Sequence, residues 1–103
     1  MSFLVVTHKI RDYAQWKPMF DQSEGLRHEH GLRGGWILRD EKDKNLITVA
    51  LEVDDLDAAR RFMASDQLKE HMELGGVIGK PSILLLEEVE RVPEPVGARK
   101  SKV

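Results

Sequence analysis

The chain has 103 residues, 41% hydrophobic and 33% charged, a size and balance suited to one globular domain with a modest core. Sixteen basic and eighteen acidic side chains leave a formal charge of -2, which offers no general attraction for nucleic acid or an anionic membrane. Cysteine is absent, so disulfides, thiolate metal sites and a cysteine nucleophile are excluded, and no apolar run approaches the ~20 residues that cross a bilayer. The apolar start stops at Thr7, His8 and Lys9, too short for a signal-peptide core, and the expected compartment is cytoplasmic.

Residues 3–10 carry Val5, Val6 and Thr7 in an apolar, β-branched run that predicts a first strand. From Asp12 the period changes. Tyr13, Trp16, Phe20, Ser23 and Arg27 recur at three- and four-residue steps, which predicts a helix with an aromatic face and Asp12 as its N-cap. Pro18 lacks the amide hydrogen that an interior turn requires, so a kink is expected there, or a short first turn followed by a helix that starts near Pro18. Gly31, Gly34 and Gly35 end the helix and release the chain.

Two alternating stretches, 36–39 and 46–53, flank the polar turn "DEKDKN" and predict a hairpin of the second and third strands. Asp54, Asp55 and Asp57 then open a second helix carrying Leu56, Ala59, Phe62 and Met63. Ser65 is another capping signal, so this helix is expected to break at "MASD" and to resume through Leu68, His71 and Met72 before Gly75 and Gly76 stop it. After Pro81, "SILLLEEVERV" reads as the fourth strand. The end of the chain, residues 93–103, has two prolines and the basic residues Arg99, Lys100 and Lys102, and is expected to be a disordered basic tail beyond a domain of residues 1–92.

The order βαββαβ, with right-handed crossovers, predicts an α+β, ferredoxin-like fold: a four-stranded antiparallel sheet with helices on one face. Alternation assigns Ile47, Val49, Leu51 and Val53 to the helix side. Phe3, Val5, Ile37, Ala50, Leu84 and Leu86 are then expected on the other face, a patch larger than soluble monomers normally expose. The expected partner is a second copy, a homodimer packed sheet to sheet about a two-fold axis into an α/β barrel. Arg39 and Glu52 are expected to pair inside that barrel or at its rim.

On "HKIRDYAQWKPMFD" at 8–21, "EVDDLDAARRFMASDQLKEHM" at 52–72 and "GGVIGKP" at 75–81, the chain resembles the dimeric α/β-barrel superfamily, in particular small antibiotic-biosynthesis-monooxygenase-like and cyclase-like proteins. The resemblance covers residues 2 to about 91. It implies a ligand site between the sheet and the outer helices of each subunit, and a range of activities: cofactor-free oxygenases and cyclases of aromatic polyketides, haem degraders, haem-binding proteins, and members of unknown function. Fold carries the location of a site, not its chemistry.

His8 shares its strand face with Leu4 and Val6, toward the helices, where an imidazole is poised as acid or base; core histidines bonded to a carbonyl share that pattern. Tyr13, Trp16, Phe20 and Trp36, four of the six aromatic residues, are expected to meet in the same layer as walls for a small hydrophobic or aromatic ligand. His71, near Phe62 and Met72, is the second candidate catalytic residue, and Phe62 and Met72 are candidate substrate contacts. In "RHEH", His28 and His30 are two apart and diverge by about 200 degrees on a helix, so no metal site is expected. No phosphate-binding glycine loop is present and no cofactor is expected. The reading is a cofactor-independent monooxygenase or cyclase with His8 as base. A non-catalytic ligand-binding protein, a haem protein with His71 or His8 as axial ligand, and an interaction module with a filled interior are the alternatives.

Overall fold

The computed structural model describes residues 1–96, so the last seven residues of the expected tail lie outside it. The elements run β1 (Ser2–Ile10), α1 (Tyr13–Gln22), α2 (Glu24–Glu29), β2 (Leu32–Arg39), β3 (Leu46–Val53), α3 (Leu56–Met63), α4 (Asp66–Leu74) and β4 (Val77–Glu87). The strands form one antiparallel sheet in the order β2-β3-β1-β4. This is the ferredoxin-like βαββαβ arrangement that the sequence predicts, each crossover helix being split in two.

Three side-chain caps set the helix starts. Asp12 accepts the Ala14 amide at 3.2 Å, Asp55 accepts that of Asp57 at 3.1 Å, and Ser65 accepts that of Leu68 at 3.2 Å. The helix α1 runs through Pro18 without ending there, and the break falls at Ser23 instead. Pro18 removes one amide donor from a turn already formed. At Ser23 the hydroxyl donates to the Met19 carbonyl at 2.9 Å while the amide is shared between the Met19 and Phe20 carbonyls at 3.2 and 3.1 Å, and these bonds tighten the end of α1 before α2 begins. In the hairpin turn, Asp40 accepts the amides of Lys42 and Asp43, and Asp43 accepts that of Asn45.

Alternation on β1 and β3 sends Leu4, Val6, His8 and Ile10, with Ile47, Val49, Leu51 and Val53, under the helices, where all are buried with Trp16, Ala59, Phe62 and Leu68. The other face stays open. Its middle row is Trp36, Ala50, Val5 and Leu84, and beside it the Thr7 and Thr48 hydroxyls bond at 2.9 Å.

Three expectations about β2 fail together. The strand begins at Leu32 rather than at Trp36, and its pairing with β3 is irregular between Leu32 and Gly35. Past the irregularity Trp36 pairs with Ala50, Ile37 with Val49 and Arg39 with Ile47. Directly paired residues share a face, so Ile37 and Arg39 lie on the helix side and Trp36 on the open side. Arg39 and Glu52 therefore do not pair across the barrel: Glu52 stands beside Phe3 on the open face, while the Arg39 guanidinium lies 5.1 Å from the centre of the Tyr13 ring. Gly35 permits the irregularity, because a Cβ there would overlap the Ala50 carbonyl oxygen and come within 2.8 Å of the Leu51 Cα.

The strand β4 starts at Val77, before Pro81, and stops at Glu87, short of the expected reach to Val92. Its pairing with β1 shifts around His8: Thr7 pairs with Ser82 but Lys9 with Ile78. Residues 79–81 thus bulge opposite His8, with Gly79 at φ 74° and Pro81 on an edge strand where a missing donor is tolerated.

Candidate functional site

Between the sheet and the helices lies a void of about 70 Å³. Leu4, Val6 and His8 form its floor with Val49 and Leu51, and α1 contributes Trp16, Met19 and Phe20. The remaining wall comes from Ser23, Arg27, Phe62, Met63, Leu68, His71 and Met72. Three of the chain's four methionines are therefore on its surface.

His8 is 6% exposed, and among the described residues neither ring nitrogen has a hydrogen-bond partner. Its ring meets Trp16 edge-on, with centroids 5.7 Å apart and planes at 70°. Burial disfavours the charged imidazolium and lowers the His8 pKa below the ordinary 6.5. The neutral ring keeps a free lone pair at the cavity, as a general base requires.

That shift has a consequence for stability. The unfolded chain binds more protons than the folded one once pH falls below about 6.5, so stability rises with pH across this window. The His8 contribution is complete above the unfolded value and is lost as pH falls toward the folded value. Urea unfolding followed from about pH 8 to about pH 5 is expected to show this acid-side loss, reduced in a His8→Leu chain. An equal slope in both would place the acid sensitivity elsewhere.

The second polar group is a pair. Ser23 is buried, and its Oγ lies 2.6 Å from Nδ1 of His71. With the Ser23 proton on the Met19 carbonyl, the same oxygen accepts from Nδ1–H of His71, which leaves Nε2 of a neutral His71 ring as an acceptor. Helix α4 supplies His71 and the α1–α2 junction supplies Ser23, so the break in the first helix layer places this pair.

Of the residues singled out in the sequence, His8, His71, Trp16, Phe20, Phe62 and Met72 come together on the one void. Tyr13 stands one layer back, its ring 5.7 Å from that of Trp16. Trp36 is 58% exposed on the open face of the sheet, so the expectation that it joins the same aromatic layer is corrected by the phase of β2. Ser23 and Arg27 were missed as site residues, although they fall on the same helical face as Trp16 and Phe20. In "RHEH", Nδ1 of His30 bonds the Leu26 carbonyl at 3.0 Å and its ring packs on Phe62, while His28 is exposed. Among the described residues no group of three or more potential ligands is gathered for a metal ion.

The void is smaller than the roughly 150 Å³ engineered cavity that admits benzene, so by itself it holds neither a haem macrocycle nor a whole aromatic ring, and a ligand of either kind has to extend beyond it. No helix among the described residues is long and apolar enough to cross a membrane.

No family model matches the chain, and no curated protein matches it either. Solved structures do. Two putative antibiotic biosynthesis monooxygenases are similar: one from Bordetella bronchiseptica at 15% identity and a TM-score of 0.72, over 86% of this chain and 97% of the other, and one from Caulobacter crescentus at 19% and 0.67, over 86% and 90%. SnoaB, a cofactor-independent oxygenase from Streptomyces nogalater, superimposes with a TM-score of 0.70 at 18% identity, over 90% of this chain and 97% of its own. At such identities the likeness is one of fold. The chain has the ferredoxin-like fold of antibiotic biosynthesis monooxygenase domain proteins.

Proposed function

We propose that the chain is a cofactor-independent monooxygenase of small aromatic or polyketide-like molecules and works as a homodimer. The observation that carries this reading is His8, a buried neutral imidazole with both nitrogens unpartnered, facing a void walled by Trp16, Phe20 and Phe62. An apolar wall with an available base suits an enolisable aromatic ketone. His8 takes a proton from the carbon next to the activated ring, and the resulting carbanion gives its electrons to dioxygen. The protonated ring returns that proton to the peroxide so formed. Loss of the second C–H proton with cleavage of the O–O bond leaves a carbonyl and one water. A CH₂ group and O₂ thus become C=O and H₂O with no outside reductant. His71, held by Ser23, is assigned the second proton-handling role. The oxygenase name of SnoaB, on the same fold, supports this chemistry by analogy.

Anthrone is a suitable probe because its enolate reduces oxygen readily. In an oxygen electrode, the full chain is expected to consume one O₂ per anthraquinone formed, at a rate proportional to protein and above the buffer rate. A rate equal to buffer for anthrone and related enolisable ketones would overturn the reading.

The dimer rests on the open sheet face. Trp36, Leu38, Ile78, Leu84 and Leu86 are exposed there, and burying each large side chain is worth on the order of 1.5–3 kcal/mol. Sedimentation is expected to give twice the chain mass for the native sequence and the single-chain mass for Leu84→Glu, whose site is already solvent-accessible in the lone chain. A native chain that sediments singly would remove the dimer from the proposal.

A further inference from the structure

The inner void shares a wall with a larger space. Phe20, Arg27 and Leu51 line both the void of about 70 Å³ and an open cleft of about 760 Å³ between α2 and β2. Only a few atoms of a substrate fit the first, whereas the second takes a ring system. A molecule that occupies both places its reactive carbon beside His8 while its ring system lies across the Phe20–Arg27 wall.

At that wall the Arg27 guanidinium stands 3.8 Å from the centre of the Phe20 ring, and its Nη1 donates to the Phe20 carbonyl at 2.6 Å. Both partners are neutral. Among the described residues no carboxylate stands within ion-pair distance of Arg27. Burial pulls its pKa down, while Glu24 and Asp21 act in the opposite direction from farther away. The cation is thus partly stripped of water without a counter-ion. Charge-assisted bonds to an anionic oxygen are about twice as strong as those to a neutral carbonyl, and a guanidinium offers a carboxylate two at once. Around the same cleft stand His28, Glu24 and Arg33, the last engaged with Asp54 at 3.4 Å. The exposed acid Glu24 lessens the positive field.

We propose that Arg27 selects the substrate by recognising an anionic oxygen on an aromatic ring, a carboxylate or an ionised phenol, in the α2–β2 cleft. The guanidinium leaves the Phe20 ring and exchanges the Phe20 carbonyl for the ligand oxygen, the ligand ring takes the face so freed, the other face being stacked on Trp16, and the reactive end enters the void beside His8. This rests on the void as the reaction site.

Nuclear magnetic resonance titration of the full chain tests it with two matched pairs: benzoate against neutral benzamide, and 4-nitrophenolate against neutral 4-nitroanisole. The anion of at least one pair is expected to bind about tenfold tighter or more, with shifts at Phe20 and Arg27. A benzoate preference identifies a carboxylate and a nitrophenolate preference an ionised phenol. Arg27→Gln is expected to erase the preference and Arg27→Lys to keep part of it. Equal binding of anion and neutral partner, or a preference that survives Arg27→Gln, overturns the proposal. A His8→Leu chain is expected to retain the preference. If the preference stands and anthrone is not oxidised by the native chain, the oxygenase reading falls alone; if anthrone is oxidised and the preference is absent, the Arg27 assignment falls alone.

Discussion

Replacing His8 with leucine is expected to stabilise the fold by about 1–3 kcal/mol while lowering turnover at least ~100-fold. The two effects have one origin. The imidazole is buried under the helices with both nitrogens unpartnered, so its polar atoms have been desolvated without a compensating bond. Leucine is of similar bulk and suits a face already made by Leu4, Val6 and Val49. It also removes the only imidazole on β1 that faces the void, and with it the proton acceptor that the proposed reaction needs there. Urea midpoints and oxygen uptake, measured on the same preparations, separate the possibilities. A destabilised His8→Leu chain would mean that the ring is satisfied by bound water, and undiminished uptake would remove His8 from the chemistry. The trade of stability for activity is the signature of a residue retained for function.

Truncating Trp16 has the opposite consequence. This side chain is 4% exposed and stacks on Phe20 with centroids 5.0 Å apart, while touching His8 and Tyr13. Trp16→Ala is expected to cost about 3–5 kcal/mol, against a typical total of about 5–15 kcal/mol, so the variant should fold but unfold at a much lower urea concentration with an unchanged slope. The space vacated continues the existing void, so added indole is expected to recover part of the loss by binding the folded form alone. A loss below about 1 kcal/mol would show that Trp16 is a replaceable lining residue rather than a pillar between sheet and α1.

The strands whose phase was legible are those with one-sided patterns. On β3, Ile47, Val49, Leu51 and Val53 alternate with Thr48, Ala50 and Glu52, and the period alone assigns the buried face. On β2, Trp36, Ile37 and Leu38 are all apolar, so the sequence offers no preference between two faces; the irregularity at Gly35 then decides, and it depends on the β3 backbone. Caps were legible because Asp12, Asp55 and Ser65 act within three residues of themselves. The start of β4 was hidden by Pro81, whose missing donor matters little on an edge strand. For the site, the aromatic period on α1 located the cavity wall, yet it also carried Ser23 and Arg27. Polar residues on such a face read as its margin until the split at Ser23 turns them inward.

The methionine wall sets a limit on how long such a centre would last. Met19, Met63 and Met72 surround the place where oxygen would be reduced, and a thioether is the protein group that stray peroxide converts most readily to sulfoxide. Each such event would put a polar, chiral group into an apolar lining. A catalyst built this way would wear out with use, and its working life would be counted in turnovers rather than in hours.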